Sequence, residues 1–128
     1  MDSSEEILIL DDDADVGDFI ATAVRSTGLQ CMLYSNAAEF LAALTPRTSL
    51  VMLDLMMPDV DGIEMLRRLG RLDYKGDIIL MSGVSKRVLE TAVEFAGSMQ
   101  LSVIGDLEKP FRLKQLQEIL QKRHGAKD

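Results

Sequence analysis

The chain has 128 residues, of which 47% are hydrophobic, so it can bury one core and does not read as disordered. Its net charge of −7 argues against a nucleic-acid-binding surface, and no apolar run is long enough to span a membrane. The single cysteine, Cys31, excludes an internal disulfide and suits a reducing cytoplasm, while one histidine, His124, leaves little basis for histidine catalysis or a zinc site.

The stretch Met1 to Glu6 is acidic and lacks the basic start of a signal peptide. Ile7 to Leu10 is a short apolar strand, and Asp11, Asp12 and Asp13 follow it at once. A helix comes next, with Val16, Ile20, Ala23 and Val24 on one face and Gly28 placed to end it. Asp13 or Asp15 is positioned to cap that helix. A calcium loop is excluded here. Gly17 stands one place late, and Thr22 occupies the position of the bidentate glutamate.

Cys31 to Tyr34 predicts a second strand. Asn36 with Glu39 resembles a capping box, opening a helix with Ala37, Phe40, Leu41 and Leu44 inward. Pro46 stops it. Leu50 to Leu53 is a third, buried strand that ends in Asp54. A carboxylate is costly inside such a run, but at the strand's end it can enter the crevice where open α/β sheets bind ligands. The competing reading is that Asp54 only caps the following turn.

Gly62 opens a helix with Ile63, Leu66 and Leu69 inward. Residues 73–76 form a turn. Ile78 to Met81 predicts a fourth strand, ending at Ser82-Gly83, with Gly83 keeping the next position open. Leu89, Ala92, Val93 and Ala96 mark another helix, which Gly97 ends. Leu101 to Ile104 is a fifth strand. Lys109-Pro110-Phe111 leads into a last helix with Leu113, Leu116 and Leu120 inward, and a polar tail begins near Lys122.

Strands and helices alternate about five times with short connections, which predicts a parallel sheet with helices on both faces. The expected architecture is one α/β domain over residues 1–128, with its core at about 6–122. Of the doubly wound orders, 2-1-3-4-5 suits this length, and it brings the ends of the first and third strands together. Asp11, Asp12 and Asp54 would then share one crevice. Two unit charges about 4 Å apart cost roughly 4 kcal/mol at an effective dielectric of 20, so the three should raise each other's pKa. A Mg²⁺ ion would remove the conflict. Ser82 and Lys109 stand at two further strand ends. Carboxylates, hydroxyl and ammonium together suit a metal-assisted site for a phosphoryl group.

The ordered set Asp11-Asp12, Asp54, Pro58, Gly62, Ser82-Gly83 and Lys109-Pro110-Phe111 resembles the receiver domain of bacterial two-component response regulators, over roughly Glu6 to Lys122. The resemblance implies a flavodoxin-like fold. It implies that Asp54 accepts a phosphoryl group from a sensor histidine kinase or phosphotransfer protein. Asp12 would bind Mg²⁺ directly, Asp11 would help through water, and the Met56 backbone carbonyl would be a further ligand. Lys109 would pair with Asp54, and Ser82 would move toward the phosphoryl oxygens. The Lys109–Pro110 bond is expected to be cis. Such a domain is a cytoplasmic signalling module rather than an enzyme, promotes only its own phosphorylation and dephosphorylation, and controls an attached output domain or a separate effector. The resemblance also allows for a phosphorylation-dependent homodimer of this chain.

Asp106 departs from the family, which often carries Tyr or Phe there. It is expected to stay exposed. Gly105-Asp106-Leu107-Glu108-Lys109-Pro110-Phe111 is similar to receivers that precede EAL-type cyclic-di-GMP phosphodiesterase domains. Met56 and Val84 flank the expected path of a hydrolytic water, and neither side chain orients water well, which predicts a longer-lived phosphoryl group than in a variant with Asn at position 56. Two other classes compete. A haloacid dehalogenase-like phosphohydrolase would want a second Asp where Met56 stands. A receiver fold could also serve as an unphosphorylated scaffold.

Overall fold

The computed structural model describes residues 5–58, 60–83 and 85–127. Five parallel strands form the main sheet: β1 (Glu6–Leu10), β2 (Cys31–Tyr34), β3 (Thr48–Asp54), β4 (Asp77–Ser82) and β5 (Ser102–Glu108). Their order is β2-β1-β3-β4-β5, as expected, once a small ribbon is left out of the count. That ribbon pairs Met56–Met57 with Val60–Asp61, antiparallel, in the loop after Asp54. The helices are α1 (Ala14–Arg25), α2 (Ala37–Ala43), α3 (Gly62–Arg71), α4 (Lys86–Ser98) and α5 (Leu113–Lys127). Among the described residues, no helix is long and apolar enough to cross a membrane.

Alternation along the strands divides the core between the two faces. Leu8, Leu10, Val51, Leu53, Ile78 and Leu80 pack with Phe40 of α2, Leu66 and Leu69 of α3, and Leu89 of α4. Ile7, Ile9, Leu50, Met52, Ile79 and Met81 pack with Ile20 and Val24 of α1 and Leu116 and Leu120 of α5. Each such fully buried aliphatic side chain contributes about 2 kcal/mol before entropy is counted.

The caps follow the local chemistry. Asp13 caps α1 through Asp15 N and Val16 N, and Asn36 accepts from Glu39 N to start α2. Asp61 starts α3 through Ile63 N. Gly62 lets α3 approach β3 closely, because a Cβ there would stand 2.8 Å from Leu55 Cα.

Four local expectations are corrected. Gly97 lies inside α4, not at its end. The turn comes later, at Gln100, whose φ of +62° is left-handed, while Leu101 N donates to Ala96 O. Leu113 is exposed rather than inward, since only Leu116 and Leu120 of that set face the sheet. The fifth strand runs on to Glu108, because its parallel pairing with β4 continues as far as Ser82. The polar tail is the end of α5, where Arg123 is buried by compensation of its charge. Its guanidinium donates to Asp77 at 2.9 Å, to Glu5 at 2.5 Å and to the Ser49 carbonyl at 3.3 Å.

Candidate functional site: a carboxylate cluster at the strand ends

The sheet order puts the carboxyl ends of β1 and β3 side by side. Leu10 pairs with Leu53, so Asp11 and Asp54 follow one another across the same edge. Both are almost fully buried, whereas Asp12 is exposed. One carboxylate oxygen from each of Asp11, Asp12 and Asp54 lies within 4.8 Å of the others. The crevice thus brings together the three acids predicted to meet there.

Lys109 reaches the same point from the end of β5. Its Nζ donates to Asp11 Oδ2 at 2.7 Å and to Asp54 Oδ2 at 3.1 Å. Its own backbone N–H donates to the Ser82 carbonyl at 2.7 Å, which ties β5 to the end of β4. The Lys109–Pro110 bond is cis. Ser82 is fully buried at that strand end.

Asp54 is divided between the turn and the crevice. Its Oδ1 accepts from Met56 N at 3.0 Å, closing the turn, and its Oδ2 holds Lys109. Asp11 is split in the same way: Oδ1 accepts from Asp13 N at 2.9 Å, and Oδ2 faces Lys109. These two bonds fix both carboxyl planes at the mouth of the crevice.

The pKa logic differs in part from the sequence expectation. The Asp11 carboxyl is raised above the ordinary range, but burial is the leading cause and the charge of Asp54 only a minor one. Its bonds to Lys109 and Asp13 act in the opposite direction. Burial works against the Lys109 ammonium, yet its contacts with Asp11 and Asp54 outweigh that cost and hold its pKa above the ordinary lysine value.

The position of Gly83 is open: a Cβ there would meet only Lys109 Cβ, at an ordinary 3.9 Å. Val84, expected to flank the water path, lies outside the described residues. Met56 is 48% exposed beside the site.

Sequence reading missed an aromatic pair on the rim. Phe19 of α1, itself 42% exposed, lies with its ring centroid 6.1 Å from that of Phe111. Val16, Phe19, Pro110 and Phe111 join Lys109 around a cavity of about 600 Å³. Phe19 falls between the residues of the inward stripe, and an exposed Phe on an acidic helix was the available signal.

Asp106 lies within β5, exposed, and forms no ion pair among the described residues. A bulge sets its direction. Ile78 pairs with Val103 but Ile79 with Gly105, so Ile104 is the extra residue. The slip turns Asp106 to the Leu80 face, where it stays exposed, and Leu107 to the Met81 face, in the core.

The response regulator receiver domain model matches residues 7–121. The chain belongs to the response regulator receiver family. It is thus a receiver domain of the two-component type, and the family match favours neither the phosphohydrolase nor the scaffold alternative. It is 34% identical over 123 residues to the transcriptional regulatory protein FixJ of Bradyrhizobium diazoefficiens, covering 94% of this chain and 57% of FixJ. It is 28% identical over 120 residues to sporulation initiation phosphotransferase F of Bacillus subtilis, covering 93% of each. The receiver spans about half the length of some curated relatives it matches. A crystal structure of a response regulator from Colwellia psychrerythraea superposes with a TM-score of 0.85 at 31% identity, covering 95% of this receiver and 98% of that chain.

Proposed function

We propose that this receiver takes a phosphoryl group on Asp54 from a phosphohistidine of a sensor histidine kinase or phosphotransfer protein, and so controls an output domain or effector. The observation that carries this reading is the Lys109 bridge between Asp11 and Asp54, beside an exposed Asp12. An oxygen of the Asp54 carboxylate attacks phosphorus. The P–N bond to the donor imidazole breaks, and the nitrogen keeps the electron pair. The product is an acyl phosphate. Lys109 is placed to exchange its Asp54 contact for a phosphoryl oxygen, and Ser82 supplies a hydroxyl from the next strand end.

The donor set fits Mg²⁺. Three carboxylates against one ammonium leave a net charge of −2, and hard oxygens close together suit that ion. Asp12, Asp11, Asp54 and the Met56 carbonyl would hold it, and it would supply charge neutralisation for the incoming phosphoryl group. The exposed Phe19 and its neighbour Phe111 give a protein donor an apolar landing place beside Lys109. The chain is read as one cytoplasmic receiver unit with no catalytic turnover of other substrates.

Acetyl phosphate with Mg²⁺ should add one hydroxylamine-labile phosphate, read by intact mass. Asp54→Asn should abolish it. Equal labelling of that variant would sink the assignment.

A further inference from the structure

The charge of this protein is unevenly spread. Against a net charge of −7, the outer side of α3 carries Arg67, Arg68 and Arg71. All three share one carboxylate, Glu64: Arg67 is bonded to it, Arg68 is 3.6 Å away and Arg71 4.0 Å. Across the gap, α4 opens with Lys86 and Arg87 and has no acidic residue in its first turn. Cations at a helix N-terminus oppose the helix dipole, so this placement works against the helix itself. Neither residue forms an ion pair among the described residues.

Between the two helices lies a cavity of about 300 Å³, lined by Ile63, Ser85, Arg87, Val88 and Thr91. Val88 is 36% exposed at its rim. Farther along, Arg67 lies over the Phe95 ring, 5.4 Å from its centroid. The result is a partly apolar slot with the Arg87 guanidinium in its lining and Arg67 farther along the facing helix.

We propose that the groove between α3 and α4 is a docking site for an acidic amphipathic helix of a partner protein. Apolar residues of that helix would enter at Val88 and Ile63, and its flanking carboxylates would meet Arg87 on one side and Arg67 on the other. Charge selects the partner: three guanidiniums facing one glutamate leave two unmatched positive charges. The groove ends at Ser85, whose side chain caps α4 through Val88 N at 3.3 Å, a short step along the chain from Ser82. Any coupling of docking to phosphorylation would run through that loop and rests on the proposed role of Asp54. The docking itself does not.

The test titrates unphosphorylated protein with a fluorescein-labelled helical peptide bearing leucines at i, i+3 and i+7 with flanking glutamates. A second peptide has lysines in their place. The acidic peptide should bind, shift amide resonances along α3 and α4, and outcompete the lysine peptide about tenfold. Arg87→Glu and Val88→Glu should each weaken it about tenfold, while acetyl phosphate labelling persists. Failure of the acidic peptide to bind overturns the proposal. So does unchanged affinity in Val88→Glu, or shifts that centre on Phe19 and Phe111. A single-stranded oligonucleotide binding more tightly than the acidic peptide would reassign the face to nucleic acid. Self-association that Val88→Glu abolishes would reassign it to a second copy.

Discussion

Each end of the main sheet holds a cation between two carboxylates, and the two arrangements differ in what they leave over. At the carboxyl ends of the strands, Lys109 bridges Asp11 and Asp54. At the amino ends, Arg123 bridges Glu5 and Asp77. The arginine fork has several partners. It also reaches the Ser49 carbonyl, Ser49 Oγ donates to Glu5, and Ser102 Oγ donates to Asp77. Such a network holds one geometry. Lysine is a single flexible charge, and the third acid, Asp12, stands beside it exposed. The upper cluster therefore retains negative charge, while the lower one clamps α5 to the sheet.

Breaking the clamp should have the largest effect. Arg123→Ala strands two partly buried carboxylates. The cost should be about 2–4 kcal/mol, below the top of the range for fully buried pairs, because both acids retain some exposure. Urea unfolding measures it, and acetyl phosphate labelling should be unchanged. A cost near zero would remove the distinction between the two ends.

Metal sharpens the same contrast from the other side. Mg²⁺ at about ten times its Kd should stabilise the wild type by roughly 1.4 kcal/mol. Asp12→Ala should lose that response, and in metal-free buffer it should melt no lower than wild type, because one repelling charge is gone. An undiminished Mg²⁺ response in that variant would remove Asp12 from the site.

The smallest effect belongs to the lower end at high pH. Tyr74 donates to the Asp77 carbonyl at 3.0 Å, and burial, followed by the charge of Asp77, pushes its phenol well above the ordinary tyrosine value. A raised pKa means that the folded state holds the proton longer than the unfolded one. Stability is therefore fully present below the ordinary value near pH 10 and falls as pH rises above it. The chain has two tyrosines and no tryptophan, so phenolate absorbance resolves them. One tyrosine should titrate late in the native protein, and Tyr74→Phe should flatten the alkaline slope. A native titration with both phenols at the ordinary value would contradict this account.

These two ends were not equally legible. Asp11, Asp54 and Ser82 each follow directly on an apolar run, Lys109 comes a few residues beyond the fifth, and in a parallel sheet all strand ends with the same direction lie on one edge. Alternation of strand and helix was therefore enough to gather them. Arg123 carried no comparable signal. It sits in a charged stretch that looks solvated, and its burial depends on Glu5 and Asp77, which are distant in sequence. Asp106 shows a different limit. It was expected to lie exposed beyond a short strand, but it stands within that strand, and the side it faces depends on the bulge at Ile104, a one-residue slip of which periodicity carries no trace.

What could be read from the sequence was local and periodic: the five strands, the caps at Asp13 and Asn36, and the set of polar groups at the strand ends. These follow from side-chain chemistry acting within a few residues, together with the apolar repeat that must face a core. What only the tertiary structure decided was pairwise and distant. It divided the oxygens of Asp54 between Met56 N and Lys109, buried Arg123, set Phe19 against Phe111 on the rim, and turned α3 and α4 to leave a basic slot between them. Charge compensation and packing depend on which groups come within a few ångströms, and that distance is a property of the fold rather than of the order of residues along the chain.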